Sequence, residues 1–247
     1  MSAPAHPAAV PTQTSPVTPY RTLHLLLTAV SLTLVLLSVN RRTELTLSFV
    51  APNEFLRWTD LNNMVLGMVT VLLYYAIITH LTGAGPGRFT RFTPHGPVFA
   101  LAAYLYACSY GMHEITNYLN SRFCLNGSGA ACRIIDFNDS EFSHYLFFGG
   151  FILLNASIVL AQLHVPAMAP LTRMDNVLLV LNAAFVAAGI AANLAFEQIG
   201  IDLYVVAAVA LGTLTAAHRL PGQPILRYYN VGYIGGLVLT AAIRTAS

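Results

Sequence analysis

Two short polar runs hold the residue types that could do chemistry in this chain: His113-Glu114-Ile115-Thr116-Asn117 and Asp139-Ser140-Glu141-Phe142-Ser143-His144. Each stands at one end of an apolar stretch, in a sequence of which only 9% of residues are charged. Ionisable groups in or beside a membrane span are costly to keep there, and by default they mark function. Two imidazoles and one carboxylate hold a divalent transition metal while leaving a position open for water or substrate. Histidine and carboxylate side chains also serve as general acids and bases.

The spacing suggests roles. His113, Glu141 and His144 are the candidate metal ligands. Glu141 and His144 lie three residues apart and project the same way from a helix, a Glu-x-x-His spacing used by carboxylate-bridged sites in helix bundles. A single copy occurs, so a two-metal version has little support. Glu114, about 100° around the helix from His113, is the candidate general base, and Asn117 and Asn63 are candidate orienting groups. Zinc or iron would make a bound water nucleophilic near neutral pH, which favours hydrolysis of a lipid-like ester or amide; iron would also allow oxidation. Asp139-Ser140 reads as a helix cap, with Glu141 an acid in the first turn. That account explains Asp139 without chemistry and leaves His144 unexplained.

The elements that must position these groups are membrane helices. At 247 residues, 56% hydrophobic and with a mean hydropathy of +0.63, the chain is too apolar for an ordinary soluble domain of its size. Apolar windows near 23–39, 62–82, 97–118, 142–163, 177–196, 203–218 and 229–243 predict an all-α integral membrane protein, a bundle of about seven transmembrane helices over residues 22–247. Residues 1–21 are rich in Pro, Ala, Ser and Thr and read as a disordered tail, without the basic start or cleavage site of a signal peptide. Span two is expected to start at Pro52-Asn53, with Trp58 as an interfacial anchor.

Further polar residues share helical faces with this cluster. Asp60, Asn63, Gly67 and Thr70 line one face of span two, and Tyr106, Tyr110, His113 and Asn117 one face of span three. Asn155 and Gln162 continue the Glu141/His144 face, while Asn182, Asn193 and Glu197 lie near one face of span five. Spans two to five are thus expected to aim polar groups at one region, where Asp60, Asn63 and Glu197 are candidates for substrate contact or proton relay. Hydrogen bonding between helices explains such groups equally well. His80, His164 and His218 fall at the opposite ends of their spans and read as interfacial.

Sidedness is weakly written. With seven spans the arginines divide evenly, six to each side, so the positive-inside rule does not choose between the two orientations. The acids do not divide evenly: Asp175 alone lies on the side of Arg21, and the other nine lie opposite. Cys124 and Cys132, in the connection between spans three and four, are candidates for a disulfide, which would suit an oxidising face and leave the amino terminus cytoplasmic. Asn126-Gly127-Ser128 and Asn138-Asp139-Ser140 then match glycosylation patterns.

Lysine is absent altogether, which removes retinal and pyridoxal Schiff bases and the Walker-type phosphate lysine. No concentrated basic tract argues for nucleic acid. Seven spans with a histidine-acid cluster are similar, at that level, to the membrane hydrolase superfamily that includes alkaline ceramidases and adiponectin-type receptors. The His-x-x-x-His pair of a late span in that superfamily has no counterpart here, since span seven lacks histidine and span six has only His218; no functional residue is carried over. Three functions fit the sequence: a metal-dependent membrane enzyme acting on a lipid-like substrate, a proton- or cation-coupled transporter, and a structural or partner-binding membrane protein.

Overall fold

A computed structural model describes residues 20–51, 54–83, 95–125, 127, 129–167, 169–196 and 200–246. Within them the chain forms helices α1 (Arg21–Arg42), α2 (Trp58–Thr82), α3 (His95–Leu119), α4 (Ala130–Phe137), α5 (Ser143–His164), α6 (Arg173–Phe196), α7 (Ile201–Arg219) and α8 (Pro224–Ala246). Each of the seven apolar windows becomes a long helix. Five helical stretches are long and apolar enough to cross a membrane: Arg21–Asn40, Trp58–Thr82, Ala130–His164, Arg173–Ala195 and Ile201–Arg219. Helices α3 and α8 carry more polar side chains and pack against neighbours on both flanks. Residues 1–19 of the expected 1–21 tail, Pro52-Asn53, Glu197 and the Asn126 and Ser128 positions lie outside the described residues, and Arg21 already belongs to α1.

Local chemistry sets several helix ends. At the start of α2 the Asp60 carboxylate caps the helix by accepting from the Arg57 N–H at 3.3 Å, and Gly83 closes the helix at φ +60°, a left-handed conformation that glycine adopts without strain. At the start of α6, Thr172 Oγ accepts from the Asp175 N–H at 3.1 Å, and Asp175 Oδ2 accepts from the Thr172 N–H at 2.9 Å. This is a capping box. Helix α8 opens on Pro224, which lacks the N–H that the first turn would leave unpaired.

The helices close into a bundle through two intimate seams, α3 with α5 and α6 with α8, while α1 bridges α2 and α6, and α7 packs on α5 and α8. Small residues permit the close approach. A Cβ on Gly150 of α5 would stand 2.6 Å from the Tyr106 nitrogen and 3.0 Å from the Ala102 oxygen of α3, and one on Gly236 of α8 would stand 2.7 Å from the Ile190 side chain of α6. The interior combines aliphatic side chains, with Ile77, Ile78, Leu154, Ile158 and Leu179 fully enclosed, and buried tyrosines, among them Tyr74, Tyr228, Tyr229 and Tyr233. At its centre Asn155 Oδ1 accepts hydrogen bonds from the hydroxyls of Tyr74 and Tyr233, each at 3.2 Å. This amide pins α2, α5 and α8 together where no water competes.

The bundle has two distinct ends. At one, His24 of α1 meets Asp175 of α6 at 2.8 Å, and Gln162 at the end of α5 donates to Gln223, just before α8, at 3.1 Å. Tyr20 there donates to the Ala169 carbonyl, and its hydroxyl is held above the ordinary phenol range first by burial and then by the charge of Asp175. At the other, the chain between α3 and α5 forms a helical hairpin, α3 being extended by a π-helical turn over Asn120–Cys124 and α4 joined to α5 by another over Asn138–Phe142. A disulfide between Cys124 and Cys132, with Cα atoms 5.4 Å apart, clamps the tip.

This hairpin corrects the expected start of span four. The helical run begins at Ala130, not near 142, and covers 35 residues to His164. At about 1.5 Å per residue, it is about 20 Å longer than a hydrocarbon core of about 30 Å.

Candidate functional site

Asp139 is the residue whose role the structure changes most. It does not cap a helix; it sits in the π-helical turn that joins α4 to α5, 5% exposed. A π-helical turn accommodates one residue more than an α-helical turn and so rotates what precedes it. Here the Asp139 carboxylate faces α3, where Oδ1 lies 3.0 Å from His113 Nδ1. Oδ2 accepts from Asn120 Nδ2 at 3.3 Å, and the Asp139 carbonyl accepts from Ser143 Oγ at 2.6 Å. Buried polar groups are tolerated when they are satisfied in this way.

The two candidate histidines do meet. The rings of His113 and His144 are 5.3 Å apart between centroids, tilted by 52°. Glu141 does not join them: it is exposed, and its Oε2 accepts from the Tyr145 hydroxyl at 3.4 Å, one turn along its own helix. The carboxylate that engages His113 is therefore Asp139. Among the described residues, no group of three or more His, Cys, Asp or Glu side chains is disposed to hold a metal ion.

Glu114 belongs to a different face of α3. Its side chain is 3% exposed and accepts from Asn63 Nδ2 of α2 at 2.9 Å. Asn63 Oδ1 in turn accepts from Asn40 Nδ2 of α1 at 2.7 Å, and that amide nitrogen also reaches the Thr59 carbonyl at 2.8 Å. Asp60, 1% exposed, is gripped by Arg57 through two contacts, Nε to Oδ2 at 2.8 Å and Nη2 to Oδ1 at 2.7 Å. This fork geometry fixes a carboxylate more firmly than a single bond does. Asn117 accepts from Arg57 Nη2 at 3.3 Å, so it serves that network.

The expected convergence of spans two to five is thus divided. His113, Asp139 and His144 meet between α3 and the start of α5; Asn40, Arg57, Asp60, Asn63, Glu114 and Asn117 tie α1, α2 and α3 together beside them. Asn182 instead accepts from Ser31 of α1 at 3.0 Å, and Asn193 donates to Asp202 of α7 at 2.9 Å. Asn40 and Arg57 were not singled out by the sequence. For Arg57 a signal existed, the i, i+3 spacing to Asp60.

Chemically, a carboxylate at Nδ1 favours the imidazole tautomer with its proton there and leaves Nε2 as a base. His113 is half-buried and His144 exposed, so the pair meets solvent on one side and the protein interior on the other. No known protein family, curated protein or solved structure matches the chain. Its class follows from fold and site: an all-helical protein with several helices apolar enough to cross a membrane, and an Asp-oriented histidine at one end of the bundle.

Proposed function

We propose that this chain is a multi-pass membrane enzyme of seven transmembrane helices that hydrolyses a lipid-like ester or amide at the surface of the bilayer, with His113 as general base. The observation that carries the reading is the 3.0 Å contact between His113 Nδ1 and the buried Asp139, with the exposed His144 ring beside it. His113 Nε2 accepts a proton from water, whose oxygen attacks the substrate carbonyl carbon. Protonated His144 supplies the proton that the leaving oxygen or nitrogen needs. Position supports a lipid substrate, because His144 stands about 30 Å of helix from His164, the thickness of a hydrocarbon core. The disulfide supports an oxidising compartment for this end and a cytoplasmic amino terminus.

The metal-dependent form of the reading, with zinc or iron on His113, Glu141 and His144, requires Glu141 to leave Tyr145. The test covers both forms: purified protein is assayed on a panel of fluorogenic lipid esters and amides, alongside metal analysis. His113→Ala and Asp139→Asn should each lower kcat by about 10²–10⁴-fold without lowering Tm. Glu141→Gln should be nearly neutral for the dyad and as damaging as His113→Ala for the metal form. Full activity in Asp139→Asn sinks the dyad.

Burial of Asp60 and Glu114 favours a second reading, a proton- or cation-coupled transporter in which these acids and Glu197 act as relay groups. Its signature is flux in proteoliposomes that Glu114→Gln abolishes and His113→Ala spares.

A further inference from the structure

The end of the bundle opposite the disulfide has an unbalanced charge. Arg21 opens α1, Arg173 opens α6, Arg219 closes α7 and Arg227 lies in the first turn of α8, and all four side chains are exposed. Among the described residues none of the four forms an ion pair. Their helices adjoin, since α1 packs on α6, α6 on α8 and α8 on α7, so the guanidinium groups rim one side of this end. Exposed His80, His164 and His218 share the same level.

The acid that could neutralise this rim is withdrawn from it. Asp175 is 1% exposed, with Oδ1 at 2.8 Å from His24 Nε2 and Oδ2 taken by the backbone N–H and hydroxyl of Thr172 at 2.9 and 2.6 Å. It is also the sole acid in the segments on this side. At the disulfide end the arrangement is reversed: Arg57 is spent on Asp60 and Arg122 on Glu54. Among the described residues, the arginines of the first end therefore carry more unpaired charge than those of the disulfide end.

From this geometry we infer that the rim of Arg21, Arg173, Arg219 and Arg227 is a docking surface for the phosphate headgroups of anionic phospholipids. The helices hold the guanidinium groups where they begin or end, which is the depth of headgroups if the bundle spans a bilayer. A guanidinium fork matches two phosphate oxygens, and basic side chains at a membrane surface are attracted to an anionic leaflet. The inference uses only the membrane-spanning part of the functional reading and stands whether or not His113 is catalytic. It also assigns this end to the leaflet richer in anionic lipid.

The test is thermal unfolding of the purified full-length protein in neutral detergent, titrated separately with phosphatidylglycerol, phosphatidylcholine and inorganic phosphate. Phosphatidylglycerol should raise Tm saturably, and the other two should not. The paired variants Arg21→Gln/Arg173→Gln and Arg219→Gln/Arg227→Gln should keep the lipid-free Tm and each weaken the apparent affinity about 30-fold. Arg133→Gln, at the disulfide end, should leave it unchanged. An equal response to phosphatidylcholine, an equal response to free phosphate, or full binding by both paired variants overturns the proposal; if one pair destabilises the fold, the other decides.

Discussion

His113 of α3 and Asp139 of the π-helical turn before α5 meet because these two elements pack together, the imidazole half-buried and the carboxylate almost fully enclosed. The consequence at this scale is that removing the carboxylate and removing the imidazole should differ in kind. Asp139→Asn keeps the shape and loses the charge that orients the ring, so it should depress kcat more than KM. A second residue-scale prediction concerns Asn155, which accepts hydrogen bonds from Tyr74 and Tyr233 at once. Asn155→Leu leaves two buried hydroxyls without that acceptor and should cost about 2–4 kcal/mol. Tyr74→Phe, which leaves Asn155 Oδ1 its second donor, Tyr233, should cost less, about 1–2 kcal/mol. Thermal unfolding in detergent orders the two, and equal Tm values for both variants would contradict the pinning role.

At the scale of elements, the π-helical turn over Asn138–Phe142 is what brings the carboxylate to the histidine. Deleting Ser140 should restore α-helical winding and rotate the preceding segment by about 100° relative to α5. The expected result is loss of the His113–Asp139 contact with α5 still folded, read by NMR as loss of the hydrogen bond at His113 Nδ1 in a stable variant. The α3–α5 seam is equally exacting. Gly150→Ala places a methyl group 2.6 Å from backbone of α3, where nothing flexible can yield, and should destabilise by about 1–3 kcal/mol. Gly236→Ala meets a side chain of Ile190 at a similar 2.7 Å. Its cost should be similar, because the nearest atoms include the Ile190 Cβ, which is fixed to the backbone of α6.

For the whole molecule, the disulfide and the charge distribution define two unlike ends. The Cys124–Cys132 bridge closes a short loop, and by chain-entropy reasoning its removal should lower stability by about 2–3 kcal/mol. A Cys124→Ser/Cys132→Ser variant compared with the oxidised protein measures this; an unchanged Tm would mean that packing of the hairpin alone holds its tip. The bundle is otherwise held by interior contacts that reduction does not touch, so the seven long helices should persist by circular dichroism. The proposed lipid-binding rim likewise rests on which arginines are paired, not on the count of arginines.

The sequence by itself determined where the long helices lie, because apolar length and periodicity are local properties that each segment carries whatever its neighbours do. It also brought His113 and His144 forward, since no cap or interface rule accounted for both. It did not determine which carboxylate meets them. Glu141 and Asp139 are two residues apart, and the choice between them turns on one extra residue in a helical turn, a small backbone energy that only packing against α3 decides. The same holds for Glu114 and Asn117, neighbours of His113 in sequence that tertiary contacts hand to Asn63 and Arg57. The even split of arginines was legible as well, but which of them stay free was not. Pairing is a property of distance in space, and distance in space is set by the fold.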